Sequence, residues 1–527
     1  MHPLLPEKLQ EQYVREGHWT GETLAGVVSS RSLEHPDRPA VLGDRSFTYA
    51  ELDLAARRLA AQLSDSVAPG DVIVAMLDTG WVCVVAAVAT SRLGAQLLPL
   101  APKVPALRAE ELTNELSAKA VLITAEALVN AEPRWWTSPT VEQVIVVGQD
   151  ESNAGCKTLD EVLNASDDFD EFRGTARESR VLFQTEGSTG QSKVVMQTEN
   201  ALFYTSRWYA KSHGLSDSSR YLGLGPYGHV LTTCFMIYTP LQLGGSVFPY
   251  AGWKPSTLAG LVKQHALTTT LMSATHIFDL LRLEPEEIEQ LRSMETIAAG
   301  GKPDHFYPEF EKLTGTTILR CYGMSECPIH TMVTAADRDS YGDTEGRTFD
   351  GSELRVVDAD GPDGIGEAHV RGPALFLGYF GRPDLIKAAT TDEGFYRTGD
   401  LVRKDEHGVS LSGRIKDTIR RGSLTVFPAE VESKIKEHSA VFDVALVGLP
   451  DERLGERPAA AVVLNPGASL TLEALVEHLR SRGVANYALP ESLHVMTKLP
   501  TSTVGKLNKR ILRELLKQEQ LQEVDAR

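Results

Sequence analysis

The sequence predicts an α/β protein in which helices cover both faces of a sheet, followed by a smaller β-rich unit and a separate C-terminal domain. Three observations carry this. Short β-branched runs alternate with helical stretches through most of the chain, as in folds whose helices pack on a sheet. Near Arg347 the texture changes to short strands parted by Gly-rich turns. Beyond Gly413 charged amphipathic helices return, over roughly 110 residues, a plausible domain length.

Taken in order, 71–76 (DVIVAM) is a compact apolar strand, 81–92 a helix and 96–99 the next strand. The apolar stretch containing them is interrupted at Ser91 and Arg92, short of the ~20 residues of a membrane helix. It is therefore read as a buried helix and strand. Segments 120–124 and 143–147 are further strands, with helical material between and after, and 268–272, 296–299 and 317–320 continue the series. Segments 353–357 and 366–370 are strands of the β-rich unit. In the last part, 427–438 is a charged amphipathic helix, 443–447 and 457–464 are strands, 471–482 is a helix and 508–518 a terminal helix. The boundary falls near 413–417. It leaves an N-terminal domain over 1–415, with its β-rich part near 347–412, and a C-terminal domain over 416–527. No internal repeat is apparent.

Of 527 residues, 42% are hydrophobic and 24% charged, an ordinary globular mixture. Lys and Arg total 53 against 71 Asp and Glu, a net charge of −18. General binding to nucleic acid or to an anionic membrane is not expected of such a chain. The five cysteines are odd in number, widely spaced and free of any CxxC pair. A disulfide scaffold or a structural zinc site is not expected, and a reducing compartment, the cytoplasm, is. The first residues, MHPLLPEKLQEQ, show no basic-then-apolar leader.

Residues 181–195 read VLFQTEGSTGQSKVV, an apolar strand running into Gly187, Ser188, Thr189 and Gly190, then Lys193. Glycines let the backbone approach a ligand, N–H groups and hydroxyls face anionic oxygens, and a lysine adds charge. The segment lacks GxxxxGK[ST] and is not that phosphate loop. Alone, such a loop after a strand is more often an ordinary turn.

With the motifs below, this segment resembles the signature of the adenylate-forming enzymes. These include acyl- and aryl-CoA ligases, adenylation domains of peptide synthetases, and luciferases. Their pattern is [Tyr/Phe]-Thr-Ser-Gly-[Ser/Thr]-Thr-Gly-x-[Pro/Ser]-Lys. Thr185, Gly187, Ser188, Thr189, Gly190 and Lys193 fit it, and Glu186 does not. The family places Ser or Gly there, beside the β- and γ-phosphates of ATP. A carboxylate facing a polyphosphate repels it, most where water is scarce. Glu186 therefore disfavours ATP, or it points outward, contacts Mg²⁺, or pairs with Lys193 or an arginine. An acyl adenylate keeps only the α-phosphate and need not meet Glu186.

Residues 321–328, CYGMSECP, match the family's Tyr-Gly-x-[Ser/Thr]-Glu motif. The resemblance implies that Tyr322 lies against adenine, Ser325 approaches the α-phosphate and Glu326 holds Mg²⁺, with Gly323 and Met324 between them. Oxygen donors suit such a hard cation. The strand over 317–320 is expected to end at this loop, at the carboxyl edge of the sheet, where α/β clefts bind ligands. Without the resemblance, Tyr322 could be a core aromatic. Gly300, Gly301 and Lys302 resemble the small-residue turn beside the acyl and adenine pockets. Asp400, in YRTGD, would accept the ribose hydroxyls, and Arg414, in GRIKD, would reach ribose or phosphate. Lys416 takes the hinge position. Gly422 keeps the first of two family glycines and Ser423 replaces the second, in the loop that in CoA ligases closes over the thiol channel. Arg420 and Arg421 could meet CoA phosphates or be solvated charges. Lys506, in LPTSTVGKLNKR, is by resemblance the catalytic lysine of adenylation. Its ammonium would neutralise the encounter of carboxylate and α-phosphate.

The resemblance spans most of the chain and implies large mixed sheets layered with helices and a small, mobile α+β C-terminal domain. It also implies two half-reactions. A carboxylate attacks the α-phosphate of MgATP, giving acyl adenylate and pyrophosphate. The C-terminal domain then turns about Lys416, exchanging Lys506 for the Gly422 loop, and a thiol attacks the adenylate. For the acid, His229 in 225–236 (GPYGHVLTTCFM) matches an aromatic or His gate. Val230 is apolar where relatives acting on dihydroxybenzoates carry Asn and those selecting β-amino acids an acidic residue. A polar substrate group would lose its partner there, so a bulky, largely apolar acid is expected. Trp208, Tyr227, Cys234, Phe235, Met236, Gly300 and Met324 could line its pocket or be core contacts.

The function expected is an acyl-CoA ligase using ATP, Mg²⁺ and coenzyme A. One alternative is an enzyme restricted to thioester formation, fed adenylate by a separate adenylating enzyme because Glu186 disfavours ATP. Another is an adenylation enzyme loading a separate acyl carrier protein. A non-catalytic adenylate sensor is opposed by Lys506, Asp400 and Glu326.

Overall fold

The computed structural model describes residues 5–130, 134–149, 156–172, 174, 176–185, 193–300, 306–336, 338–359, 364–422, 424–501 and 507–525. The chain forms two compact units: Met1–Leu354 with Val370–Tyr396, and Arg355–His369 with Arg397–Arg527.

The first unit is built on two large sheets. One orders its strands Arg347–Thr348, Cys327–Met332, Thr317–Met324, Thr296–Gly300, Thr269–Ser273, Arg220–Leu224, Ser246–Tyr250, Pro39–Val41 and Phe47–Thr48. Its interior is parallel and its ends are antiparallel. The other runs Gly378–Tyr379, Lys193–Thr198, Ser179–Thr185, Gln96–Leu100, Val72–Met76, Ala120–Thr124, Gln143–Val147 and Lys157–Thr158. Val72–Met76 is buried along its whole length, as its unbroken apolar run requires in a sheet covered on both faces. The helix Trp81–Leu93 is buried on nearly every side, which is why its apolar residues show no single stripe. It ends at Gly94 in the left-handed region (φ 65°). A Cβ there would lie 2.4 Å from the Phe172 ring, so both conformation and space demand glycine.

Several expected boundaries differ: the strand read over 443–447 spans Val441–Asp451, the helix read over 508–518 spans Lys509–Asp525, and the strand read over 317–320 runs on into the candidate site. The strand beginning at Thr317 continues through Met324 and folds back on Cys327–Met332, pairing Tyr322 with Thr331 and Met324 with Cys327. Tyr322 and Gly323 therefore belong to a hairpin, and only Ser325–Glu326 form its turn. Backbone hydrogen bonds to the returning strand hold the extra residues extended.

The second unit holds most of a four-stranded sheet, ordered Glu353–Val357, Gly366–Arg371, Tyr396–Lys404 and Val409–Arg414. It also holds a five-stranded sheet of Leu424–Val426, Ile419–Arg421, Gly455–Leu464 and Val441–Asp451, with Ser492–Val495 paired to Gly455–Leu464. Alternation along Val441–Asp451 splits its core in two. Val444 and Leu446 face the helices Pro428–Lys436 and Leu472–Ser481 through Val431, Ile435, Leu475 and Leu479. Ala445, Val447 and Leu449 face the helix Lys509–Asp525 through Leu512 and Leu516. Period-two side-chain alternation gives one strand two apolar faces. Among the described residues no helix is long and apolar enough to cross a membrane.

Candidate active site

Ser179–Thr185 and Lys193–Thr198 form an antiparallel hairpin whose last pair is Thr185 with Lys193. Thr185 Oγ1 donates to the Lys193 carbonyl at 3.3 Å. Glu186, Gly187, Ser188, Thr189 and Gly190 lie outside the described residues. The short strand Gly378–Tyr379 adds to this hairpin, pairing Tyr379 with Val195. That register sets the Tyr379 ring 4.7 Å from Lys193 Nζ.

Tyr379 also reaches the Ser325–Glu326 turn. Its hydroxyl donates to Glu326 Oε1 at 2.6 Å. A phenol has one proton, so in the 2.9 Å contact between the two tyrosines Tyr396 is the donor. Burial, with the Glu326 charge adding to it, pushes the Tyr379 phenol far above its ordinary value, so it stays protonated. The main chain of the turn is held separately. Phe376 N–H donates to the Glu326 carbonyl at 2.8 Å, and Gln197 Nε2 to the Ser325 carbonyl at 2.9 Å. Gln197 is placed by its strand, which passes directly into the helix Glu199–His213, N-capped by Thr198.

The donor set fits a Mg²⁺ ion carried with phosphate. Glu326 offers a hard carboxylate, and among the described residues no group of three or more His, Cys, Asp or Glu side chains stands together. Mg²⁺ typically takes one or two carboxylates and fills its shell with phosphate oxygens and water.

Tyr322 is buried, its ring 5.5 Å from that of His330. Burial holds His330 at about 3, and therefore neutral near pH 7. Gly323 admits no side chain, because a Cβ would lie 2.0 Å from the Pro328 carbonyl oxygen across the hairpin. Gly300 ends its strand between Ser273 and Cys321, and a Cβ there would meet nothing within 4 Å. Gly301 and Lys302 lie outside the described residues.

The residues proposed for the acid divide. His229 precedes the short helix Val230–Thr233, its N–H on the Pro226 carbonyl at 3.0 Å, and Val230 is buried. Trp208 stacks flat on Phe349, centroids 5.3 Å apart, with Lys211 Nζ over its ring. Tyr227 is fully buried and donates to the Cys83 carbonyl at 3.1 Å, a core role. Cys234 packs in the core against Ser206 and the Leu202 carbonyl. Phe235 stacks on Tyr209 at 3.9 Å and, with Met236, lines a cavity of about 10 Å³ beside Tyr221 and Thr270. Met324 ends the hairpin strand.

In the second unit Asp400 is buried and lies opposite Arg414 across antiparallel strands. Arg414 Nε donates to Asp400 Oδ1 at 2.7 Å. Glu367 Oε1 accepts from Gly399 N–H at 3.1 Å, and Thr398 Oγ1 from Asp400 N–H at 3.0 Å. Lys416 lies in the turn Ile415–Asp417, where partial burial, then the Arg414 charge, lowers its pKa. Gly422 turns the chain between two strands at φ 64°, its N–H on the Leu454 carbonyl at 2.6 Å. Arg421 donates through Nε and Nη2 to Glu491 Oε1, at 3.0 and 2.7 Å, and Arg420 Nη1 to Thr425 at 2.8 Å. Ser423 and Lys506 lie outside the described residues.

Tyr379 and Gln197 are site residues that the sequence did not single out.

A carboxylate on one hairpin and an ammonium at the mouth of another, in an α/β unit accompanied by a small α+β unit, suit an adenylate-forming, acid-activating ligase, the class to which comparison with known proteins assigns the chain. The chain belongs to the AMP-binding enzyme family: the family model "AMP-binding enzyme" matches residues 29–380 and "AMP-binding enzyme C-terminal domain" matches 430–506. It is similar to the medium-chain fatty-acid–CoA ligase of Escherichia coli K12, 30% identical over 98% of this chain and 94% of that one. It is similar also to the salicyl-AMP ligase / salicyl-S-ArCP synthetase of Mycobacterium tuberculosis, 31% identical over 97% of this chain and 94% of that one. Among solved structures, ATP-bound MatB from Rhodopseudomonas palustris superposes with a TM-score of 0.84 at 26% identity, over 94% of this chain and 99% of that one. A small-molecule carboxylate is the substrate of this class, with ATP and Mg²⁺ as its cofactors.

Proposed function

We propose that the protein activates a bulky, largely apolar carboxylic acid as its acyl adenylate and passes the acyl group to the phosphopantetheine thiol of a separate carrier protein. The acid's oxygen attacks the α-phosphate and pyrophosphate leaves; the thiol then displaces AMP. In this reading Thr185, Lys193, the loop from Gly187 to Gly190 and Glu326 serve the phosphate side. Tyr322 and Gly300 serve the adenine side, and Asp400 and Arg414 the ribose. Lys506 offsets the like charges that meet during adenylation. Lys416 is the hinge, and the Gly422 loop serves the thiol. His229 and Val230 border the acid.

One observation carries the choice of acceptor. Arg421 is committed to Glu491 by two hydrogen bonds, and Arg420 to Thr425 by one. Free CoA needs cations for its nucleotide phosphates, and these two arginines were the ones nearest the thiol loop in sequence. A pantetheine arm already carried by a protein brings no such nucleotide. The similarity to a salicyl-S-ArCP synthetase supports the same choice. Free CoA is the second reading, favoured by the similarity to a fatty-acid–CoA ligase.

The test is a competition followed by mass spectrometry, with one activated acid offered to a panel of holo-carrier proteins, to CoA and to pantetheine. We expect a holo-carrier to turn over faster than either small thiol. Faster turnover with CoA than with every carrier would return the protein to the CoA ligases.

A further inference from the structure

We propose that Tyr379 is a positioning residue for adenylation: its hydroxyl holds the Glu326 carboxylate in the orientation that receives the divalent cation, while its ring holds the Lys193 ammonium beside it. The inference rests on the adenylation reading above and deepens it.

Contacts from several elements converge on this side chain. Its hydroxyl donates to Glu326 Oε1 at 2.6 Å and accepts from Tyr396 at 2.9 Å. Its ring lies 4.7 Å from Lys193 Nζ, and its backbone pairs with Val195. Phe376 adds an edge-on ring contact at 5.0 Å. A hydrogen bond to a carboxylate is charge-assisted and about twice as strong as a neutral one. The Phe376 and Gln197 bonds to the turn end on main-chain carbonyls. They fix where the Glu326 Cα lies, not where its carboxylate points. The Tyr379 bond fixes the carboxylate itself. The ring contact is a cation–π attraction, so one residue joins the phosphate-loop lysine to the metal carboxylate, two groups 133 positions apart in sequence (326 − 193). Such outer contacts to a metal-binding carboxylate orient it and tune its affinity.

Tyr379→Phe removes the hydroxyl and keeps the ring and the strand pairing. The cation's affinity is read without turnover, by electron paramagnetic resonance titration of Mn²⁺ into enzyme saturated with α,β-methylene-ATP, acid omitted. Binding of AMP, which needs no divalent cation, is measured on the same samples, with thermal unfolding as the check on folding. For Tyr379→Phe we expect Mn²⁺ affinity to fall about ten- to a hundredfold, with AMP affinity and melting temperature close to wild type. Tyr396→Phe, one step further from the carboxylate, should weaken Mn²⁺ less. Equal losses of Mn²⁺ and AMP affinity would make Tyr379 a structural residue and overturn the proposal. So would unchanged Mn²⁺ affinity in Tyr379→Phe. A wild-type protein that shows no nucleotide-dependent Mn²⁺ binding would instead overturn the adenylation reading on which the proposal stands.

Discussion

At Gly323 the hairpin that carries Tyr322 and Glu326 leaves no room for a side chain. A Cβ would sit 2.0 Å from the Pro328 carbonyl oxygen, which is main chain and cannot rotate away. Gly323→Ala should therefore spread the two strands, costing about 1–3 kcal/mol as an overpacked site does. Thermal unfolding reads that loss, and an unchanged melting temperature would contradict the hairpin geometry. The sequence showed Gly323 as a motif letter, and the reason for it is a contact made five residues later. Tyr379 was less legible. It lies 53 residues from Glu326, and neither periodicity nor spacing marks a tyrosine whose role depends on a partner that far away. Tyr227 and Cys234 went the other way. They sit in a segment that sequence associates with the acid, yet the Tyr227 hydroxyl and the Cys234 thiol find their partners in the core.

At the scale of elements, local pattern served well. The strands Ala120–Thr124 and Gln143–Val147 coincide with the apolar runs that announced them, because a β-branched run between turns carries its own signal. The strand Thr317–Met324 outran its expected end because its last residues are held by a returning strand, which no local window contains. The helix Glu199–His213 and the strand Cys327–Met332 make a prediction of their own. His213, at the end of the first, and His330, in the second, are buried and held at about 3 against 6.5 for the free side chain. Neither ring nitrogen of His213 has a partner among the described residues. The folded-state values are depressed, so between pH 6.5 and 3 the unfolded chain binds these protons and the folded chain does not. Stability is complete above about pH 6.5 and falls as pH drops through that window, by up to about 1.4 kcal/mol per pH unit for each imidazole. The melting temperature should fall between pH 7 and pH 5, and His213→Phe should reduce that fall. An identical pH dependence in the variant would show that His213 accepts its proton in the folded state.

At the scale of the molecule, the alternation of strands and helices, the change of texture past Arg347 and the small C-terminal α+β unit were all legible, and six motifs in order gave the family. The acceptor thiol was not: the reading proposed for it turns on the partners of Arg420 and Arg421, and while Thr425 lies across the same hairpin as Arg420, Glu491 stands 70 residues from Arg421. The division of labour proposed for the two half-reactions can be tested through Lys506. Lys506→Ala should lower acid-dependent pyrophosphate exchange by about 10²–10³, the scale of losing one electrostatic stabiliser of a transition state. Thioester formation from a synthetic acyl adenylate should survive in the same variant. Loss of both reactions together would deny the lysine its assigned role. The most direct measurement of acid activation itself is ATP–pyrophosphate exchange by the wild-type protein across a panel of bulky apolar acids, with every thiol omitted. Acid-dependent exchange with at least one of them is the expected result, and it would make Glu186 a tolerated departure. No exchange with any acid, from a protein that still converts the matching acyl adenylates to thioesters, would contradict it and leave thioester formation as the reaction the protein performs.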